Sequence, residues 1–362
     1  MRVAVVGATG NIGFHLVYAL LGRPEVDEIV GIARRLPTDR VDPRVRWVSL
    51  DISRSDSVDG LAAAFTGCRA VVNLAWLIQP ERRPEVTAAT NIDGLLHVLS
   101  ALTRSGSGVL VAASSVGSYA PGPKSTPVGE DWPTTGVASS AYSRQKAAVE
   151  RILDGFETAH PECRVIRMRP GFVLSHRAAA SQVRYFVGPL LPRRILRSGH
   201  LPLVPAIRGL AFQVVHSADA GEAFAAAVLA AQRGTAQGAY NIAADPLIAS
   251  STLAEALGGR PVPVPASLAR MLVRLAHLAR IIPIGVGWFD LAMSAPCMDT
   301  GRARAELGWR PTVDARDTLR EWVRAAAVGE GAGTPVLRPA PTGWDQVRGG
   351  VRSLTGAGAG RI

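Results

Sequence analysis

The chain has 362 residues, 48% of them hydrophobic, enough to bury a sizeable core in one large domain or two lobes. No apolar run reaches membrane-spanning length, three scattered cysteines (Cys68, Cys163, Cys297) exclude a disulfide framework, and seven dispersed histidines offer no metal-ligand spacing, so no metal is expected. The net charge of +11 is spread along the chain without interleaved aromatics, which argues against a nucleic-acid partner.

Taken in order, the chain begins directly on a strand-like run, Val3–Val6, with no secretory pattern, and a reducing cytoplasm is the expected setting. Further strands are predicted over Glu28–Ala33, Arg46–Ser49, Ala70–Leu74, Val109–Ala113 and Val165–Arg169. Helical stretches separate them, the pattern of an α/β, Rossmann-type doubly wound parallel sheet over residues 1–170. Residues 171–210 are rich in Pro and Arg and are expected to be irregular. Phe212–Val215 and Tyr240–Ala243 follow as strands around an Ala-rich helix, Ala218–Arg233, so that about 211–247 completes the sheet domain. Residues 248–328 are predicted mostly helical, broken by a Pro-punctuated 261–265, and form with 171–210 a smaller C-terminal substrate lobe. From Gly329 to 362 the composition turns to Gly, Pro and Ala, as in a flexible tail.

The first turn, Gly7-Ala-Thr9-Gly10-Asn11-Ile12-Gly13, follows a strand and opens a helix. Glycines at three-residue spacing let the backbone turn tightly and approach a pyrophosphate, which the helix N-terminus attracts. A dinucleotide is therefore expected there. An acidic residue at the end of the second strand would bind the ribose 2′-hydroxyl of NAD; this chain has Arg34 and Arg35, which can pair a 2′-phosphate. NADP is favoured, with NAD as the alternative.

Of the 40 basic residues two are lysines, Lys124 and Lys146, and the other 38 are arginines. Lys146 stands four residues after Tyr142, so phenol and ammonium share one helix face. The ammonium is expected to lower the phenol pKa toward the range useful for proton transfer. The bland alternative is a solvated helix face.

Together, the GxxGxxG turn and Tyr142-Ser-Arg-Gln-Lys146 resemble the short-chain dehydrogenase/reductase superfamily, in its extended branch of NAD-dependent epimerase/dehydratase type. Other elements follow in the same order: Asp51-Ile52, Asn73-Leu74-Ala75, Asn91-Ile-Asp-Gly94, Ser114-Ser115-Val-Gly-Ser-Tyr119, Arg169-Pro170-Gly171-Phe172-Val173, His216-Ser-Ala-Asp219, Tyr240-Asn241-Ile and Leu307-Gly-Trp309. The resemblance covers residues 1 to about 328. It implies Tyr142 as general acid/base, Lys146 holding the ribose, Ser115 orienting the substrate oxygen and Asn91 holding its helix and a water near Lys146. It implies cofactor contacts by the glycine turn, Asp51, Ile52, Leu74, Ala75, Pro170 and Val173, and a substrate pocket involving Tyr119 and Phe172.

One departure bears on the substrate. Sugar-nucleotide enzymes of this type carry a phosphate-binding Arg just before the HVxD element; here the run is Phe212-Gln213-Val214-Val215-His216. Trp76-Leu77-Ile78 and the apolar run 281–293 suggest walls for an uncharged small molecule, with Arg208 as a stand-in clamp if that reading fails. The leading expectation is hydride exchange between NADP(H) and a carbonyl/alcohol pair. Sugar-nucleotide epimerisation or dehydration comes second, and a non-catalytic NADP sensor third. A homodimer is left open. Last, Leu268, Met271, Leu272, Leu275, Leu278 and Ile282 form one helical stripe with arginines elsewhere. It is read first as a helix packed on the core, and alternatively as a basic amphipathic helix against an anionic membrane.

Overall fold

The computed structural model describes residues 1–38, 42–188 and 203–340. Seven parallel strands form the main sheet: β1 (Arg2–Val6), β2 (Glu28–Ala33), β3 (Val45–Ser49), β4 (Cys68–Asn73), β5 (Val109–Ala113), β6 (Arg164–Pro170) and β10 (Gly238–Ile242). They lie in the order β10-β6-β5-β4-β1-β2-β3. The order reverses between β1 and β4, so the loops after these two strands diverge and leave a crevice at their carboxyl ends. The fully buried Val- and Ile-rich strands have helices on both faces. On one face α1 (Asn11–Leu21) packs against α7 (Ser217–Gln232) through Leu16, Leu20 and Phe224. On the other lie α2 (Ser57–Phe65), α4 (Gly94–Ser105) and α5 (Ala141–Ala159), with Leu61, Phe65, Leu102 and Leu153 in the core.

Residues 171–210 contain more regular structure than their composition predicts. Phe172–Leu174 is strand β7 and Ala179–Phe186 is helix α6, while Leu203–Ile207 is strand β8. Residues 189–202 of that stretch lie outside the described residues. A three-stranded sheet joins β7 to β9 (Ala211–His216) and β11 (Ala244–Ala249). The helical run is interrupted at 261–265 as expected. There β12 (Arg260–Val264) pairs with β8 in a two-stranded ribbon that has only edges, where prolines are tolerated. Six more α-helices lie in the described chain: α3 (Pro84–Ala88), α8 (Ser250–Ala256), α9 (Ala266–Leu278), α10 (Val286–Ser294), α11 (Gly301–Glu306) and α12 (Ala315–Val328).

Two expectations about the C-terminal part need correction. Gly329 takes a left-handed conformation and caps α12, after which the chain turns back. Residues 330–340, expected to lie in a flexible tail, are folded against the body: Leu337 and Ala332 pack on Ala178, and the Thr334 hydroxyl donates to the Thr9 carbonyl at 2.9 Å. Residues 341–362 lie outside the described residues. The stripe of α9 does not pack on the core either. Of its residues only Ala269 is buried, whereas Leu268, Met271, Leu272, Leu275 and Leu278 are exposed.

Candidate active site

The glycine turn lies in the crevice between β1 and β4. Gly7 has φ of +84°, and a Cβ there would come within 2.9 Å of the Ala75 nitrogen. At Gly13 a Cβ would meet the Gly7 carbonyl at 2.3 Å. Helix α1 then starts with no side-chain cap and no acidic residue in its first turn, which suits an incoming anion. The turn, Leu74 and Ala75 are therefore brought together as expected, in a backbone cradle that fits a dinucleotide. The Asn11 side chain has a different task. It donates to the Val173 carbonyl and accepts from Ser175 and Ser217, pinning the turn to β7 and α7. Thr9 and Ile12 support the turn from within, Thr9 being buried and Ile12 packed on the core. Pro170 is buried at the end of β6, where it pairs with Ile242.

At the far end of the crevice, Arg34 follows β2 with its guanidinium 3.9 Å from the Asp51 carboxylate, and Arg35 is exposed beside it. The next residue, Ile52, is buried against Gly94.

The catalytic candidates converge on the start of α5. Ser140 caps this helix, accepting from the Ser143 amide, and Ser143 hydrogen-bonds the Gly117 carbonyl. Gly117 in turn makes room for the phenol ring of Tyr142, since a Cβ there would lie 2.7 Å from its Cε1. Ser115 accepts from the Gly117 amide at 3.0 Å and hydrogen-bonds Tyr142, combining a structural cap with a place at the Tyr142 hydroxyl. The Tyr142 ring is held between two indoles: Trp288 of α10 at 4.7 Å and Trp76, edge-on, at 5.7 Å. A narrow cavity beside it is lined by Leu77, Ile78, Glu81, Gln145 and Trp288. A wider, open trough between α4 and α5, lined by Leu96, Ile152 and Phe156, lies toward the other end of α5. No titratable cluster of the described residues converges there, which leaves the narrow cavity as the candidate site.

Lys146 is 3% exposed. Its Nζ donates to the Ala113 carbonyl at 2.8 Å and lies 3.5 Å from the centre of the Trp76 ring. Burial pushes its pKa down to about 7, against the charge of Glu150. Tyr142 departs from expectation in the opposite sense. Burial pushes its pKa up to about 12, opposed by the Ser115 hydrogen bond, and Lys146 does not lower it. The ammonium is committed to Ala113 and Trp76, and its own burial weakens its charge, so desolvation decides both values. Lys124 has a separate structural task, donating to the Ala292 carbonyl at the C-terminal end of α10.

Three further side chains have defined surroundings. Asn91 clamps both backbone groups of Leu77 and donates to Gln145, within one wide π-type turn at 89–93, so it positions the Tyr142–Lys146 helix through Gln145. Tyr119 cannot line a pocket. It is 0% exposed, its hydroxyl donating to Asn241 and accepting from Arg169. Phe172 packs between Phe186 and Phe212, with Phe186 against Trp288, and so backs the pocket wall.

Sequence reasoning passed over the buried ion pair beneath the site. Glu150, four residues beyond Lys146 on the same face, accepts two bonds from Arg169 and one from Ser114. Burial pushes the Glu150 carboxyl up, but Arg169 and Ser114 outweigh it and hold it below the usual carboxylate range. The 142/146/150 spacing was the available signal. The fold also gathers three residues with no common spacing, His176, His216 and Glu321, within 4.8 Å of one another. The Nδ1 of His216 accepts the Ala218 amide, which leaves its Nε2–H facing Glu321; the trio is thus a hydrogen-bonded cluster.

The model of the NAD-dependent epimerase/dehydratase family matches residues 3–243. The chain belongs to that family. An uncharacterized protein of Mycobacterium tuberculosis is 27% identical over 326 residues, covering 90% of this chain but 30% of its own length, so the chain spans about a third of that relative. UDP-glucose 4-epimerase 3 of Oryza sativa subsp. japonica is 27% identical over 181 residues, 46% of this chain and 48% of the rice protein. The structure of UDP-glucose 4-epimerase from Thermus thermophilus in complex with NAD superposes with a TM-score of 0.64 at 23% identity, covering 90% of this chain and 99% of that one. That likeness establishes the shared fold. Among the described residues no helix is long and apolar enough to cross a membrane.

Proposed function

We propose that this family member transfers hydride between NADP(H) and a carbonyl/alcohol pair on an uncharged, apolar small molecule. The observation that carries the reading is the surround of Tyr142: two indoles, Leu77 and Ile78 form its walls, and the position where a phosphate-binding arginine is expected holds Gln213. The Gln213 side chain is fully occupied, donating to the Met298 carbonyl and accepting from its amide. Two negative phosphates entering such a site would lack a countercharge, which is costly. Arg208, the candidate stand-in, is exposed at the turn between β8 and β9.

The glycine turn and the α1 N-terminus would hold the pyrophosphate, and Arg34 and Arg35 the 2′-phosphate. When bound, the nicotinamide supplies or accepts the hydride. Ser115 orients the substrate oxygen, and Tyr142 donates or removes its proton. The high Tyr142 pKa suits a phenol that stays protonated until the oxygen acquires negative charge. Lys146, with a pKa of about 7, is poised to support the phenolate when it forms. Trp288 and Trp76 exclude water from that transfer. The buried free thiols Cys68 and Cys163 suit a reducing cytoplasm.

Sugar-nucleotide epimerisation is the second reading, favoured by the likeness to the rice UDP-glucose 4-epimerase. Thermal shift separates the two. UDP- and dTDP-sugars at millimolar concentration are expected to leave Tm unchanged, while NADPH raises it more than NADH. Arg34→Ala is expected to weaken NADPH binding about 10- to 100-fold. Equal affinity for both reduced cofactors overturns the NADP assignment; stabilisation by a sugar nucleotide but by no ketone overturns the substrate class.

A further inference from the structure

The outer face of the C-terminal lobe has a feature that the chemistry at Tyr142 does not use. Leu268, Met271, Leu272, Leu275, Leu278 and Ile281 are between 42% and 63% exposed. Along α9, Leu268, Met271, Leu272, Leu275 and Leu278 recur at helical spacing and so form one continuous apolar strip, which Ile281 follows just beyond the helix end. Folded monomers rarely leave such a strip to water unless something covers it. The neighbouring ribbon extends it, since Leu203 on β8 and Val262 on β12 are also exposed and β12 runs directly into α9.

The charge around the strip selects the partner. From Ala266 to Ile282 the chain has three arginines and a histidine but no acidic residue. Arg270 is paired with Asp290 of α10. Arg274 and Arg280 are exposed, and Arg82 and Arg83 are exposed near the end of the helix, where Arg82 donates to the His277 carbonyl. Arginine stems can lie along an apolar surface with their heads at the polar boundary. A second copy of the chain docking here would bring the same arginines into one interface, with no acidic residue on the helix to answer them. At 13 residues, or about 20 Å, α9 is too short to span a bilayer but long enough to lie in its surface.

We propose that α9 and the adjoining ribbon dock the enzyme on an anionic lipid surface, the apolar strip entering the acyl boundary and the arginines meeting the headgroups. The attachment is peripheral. Its location also serves the active site, because α9 packs on α10, which carries Trp288 against Tyr142. One helix therefore separates the lipid-facing strip from the reactive phenol, which suits a substrate dissolved in the membrane. That last point rests on the apolar-substrate reading; the docking itself does not.

The test is co-sedimentation of the full chain with vesicles of phosphatidylglycerol and phosphatidylcholine, or of phosphatidylcholine alone, at low and high salt. Binding is expected to the anionic vesicles, to weaken in high salt, and to fall about five-fold for each of Arg274→Gln and Arg280→Gln. The double variant Leu272→Gln/Leu275→Gln is expected to lose binding by more than about ten-fold while melting at the parental temperature. Failure to bind anionic vesicles overturns the proposal. So does a several-degree fall in Tm of the double variant, which would mean that the strip is covered within the chain. A lipid-free dimer that the double variant dissociates, seen by sedimentation velocity, would overturn it in favour of a second copy. Failure of the catalytic reading would instead appear as absent ketone turnover with vesicle binding intact.

Discussion

Helices α5 and α9 are both amphipathic and both carry arginines, but their apolar faces have opposite fates. The inward face of α5 contains Lys146 and Glu150 among Ala147, Val149 and Leu153, and all of these are buried. The apolar face of α9 carries no ionisable group, yet it meets solvent. Hydrophobicity alone therefore does not decide which helix is internal. The charged groups of α5 are affordable because each has a fixed partner, Ala113 for Lys146 and Arg169 for Glu150. That pairing fixes the rotation of the helix and with it the position of Tyr142. Nothing within the described chain covers the apolar strip of α9, which leaves it available for an outside surface.

Breaking the pairing under α5 is expected to have the largest effect on stability. Arg169→Met removes both guanidinium hydrogen bonds from the buried Glu150, leaving it only Arg167 at 3.5 Å, and should cost about 3–5 kcal/mol in urea unfolding. A loss below about 1 kcal/mol would mean that water already reaches this pair. Apolar truncation sharpens the contrast between the two helices. Leu153→Ala, in the core, should cost about 2–5 kcal/mol, whereas Leu275→Ala on the strip should stay within about 0.5 kcal/mol. Similar losses at both positions would remove the distinction between the helices.

Lys146 allows a third, pH-dependent comparison. Its pKa falls from an ordinary 10.5 to about 7 on folding, so between those values the unfolded chain binds more protons than the native one. Stability must therefore rise with pH across that window. Lys146→Met removes the titration. It should stabilise the protein most below about pH 7, and the advantage should shrink as pH rises toward 10.5. An advantage that does not change with pH would mean that Lys146 is not desolvated.

Much of this site was legible in the sequence. The strand, glycine turn and helix at 3–21 follow from local periodicity, and the 142/146 spacing placed phenol and amine on one face. What escaped depended on long-range partners. The Tyr142 pKa moved opposite to expectation because spacing reports neighbours and not desolvation, which here comes from Trp76 and Trp288. Tyr119 fits a motif, yet its hydroxyl is used by Asn241 and Arg169, which lie on other strands. The turn-back at 330–340 depends on the bond from Thr334 to Thr9, 325 residues away, which the Gly- and Pro-rich composition does not reveal. The α9 stripe was recognised, but periodicity cannot say whether an apolar face has a partner.

The most direct test of the central claim is the balance of cofactor against substrate. The purified protein is given NADPH with a homologous series of aliphatic and aryl ketones or, separately, with UDP- and dTDP-sugars, while absorbance and products are followed. One NADPH oxidised per alcohol formed is expected, with kcat/KM rising along the ketone series. A loss of about 10²- to 10⁴-fold is expected in Tyr142→Phe, which still binds the cofactor. Conversion of a sugar nucleotide without net cofactor change, with every ketone inert, would contradict it.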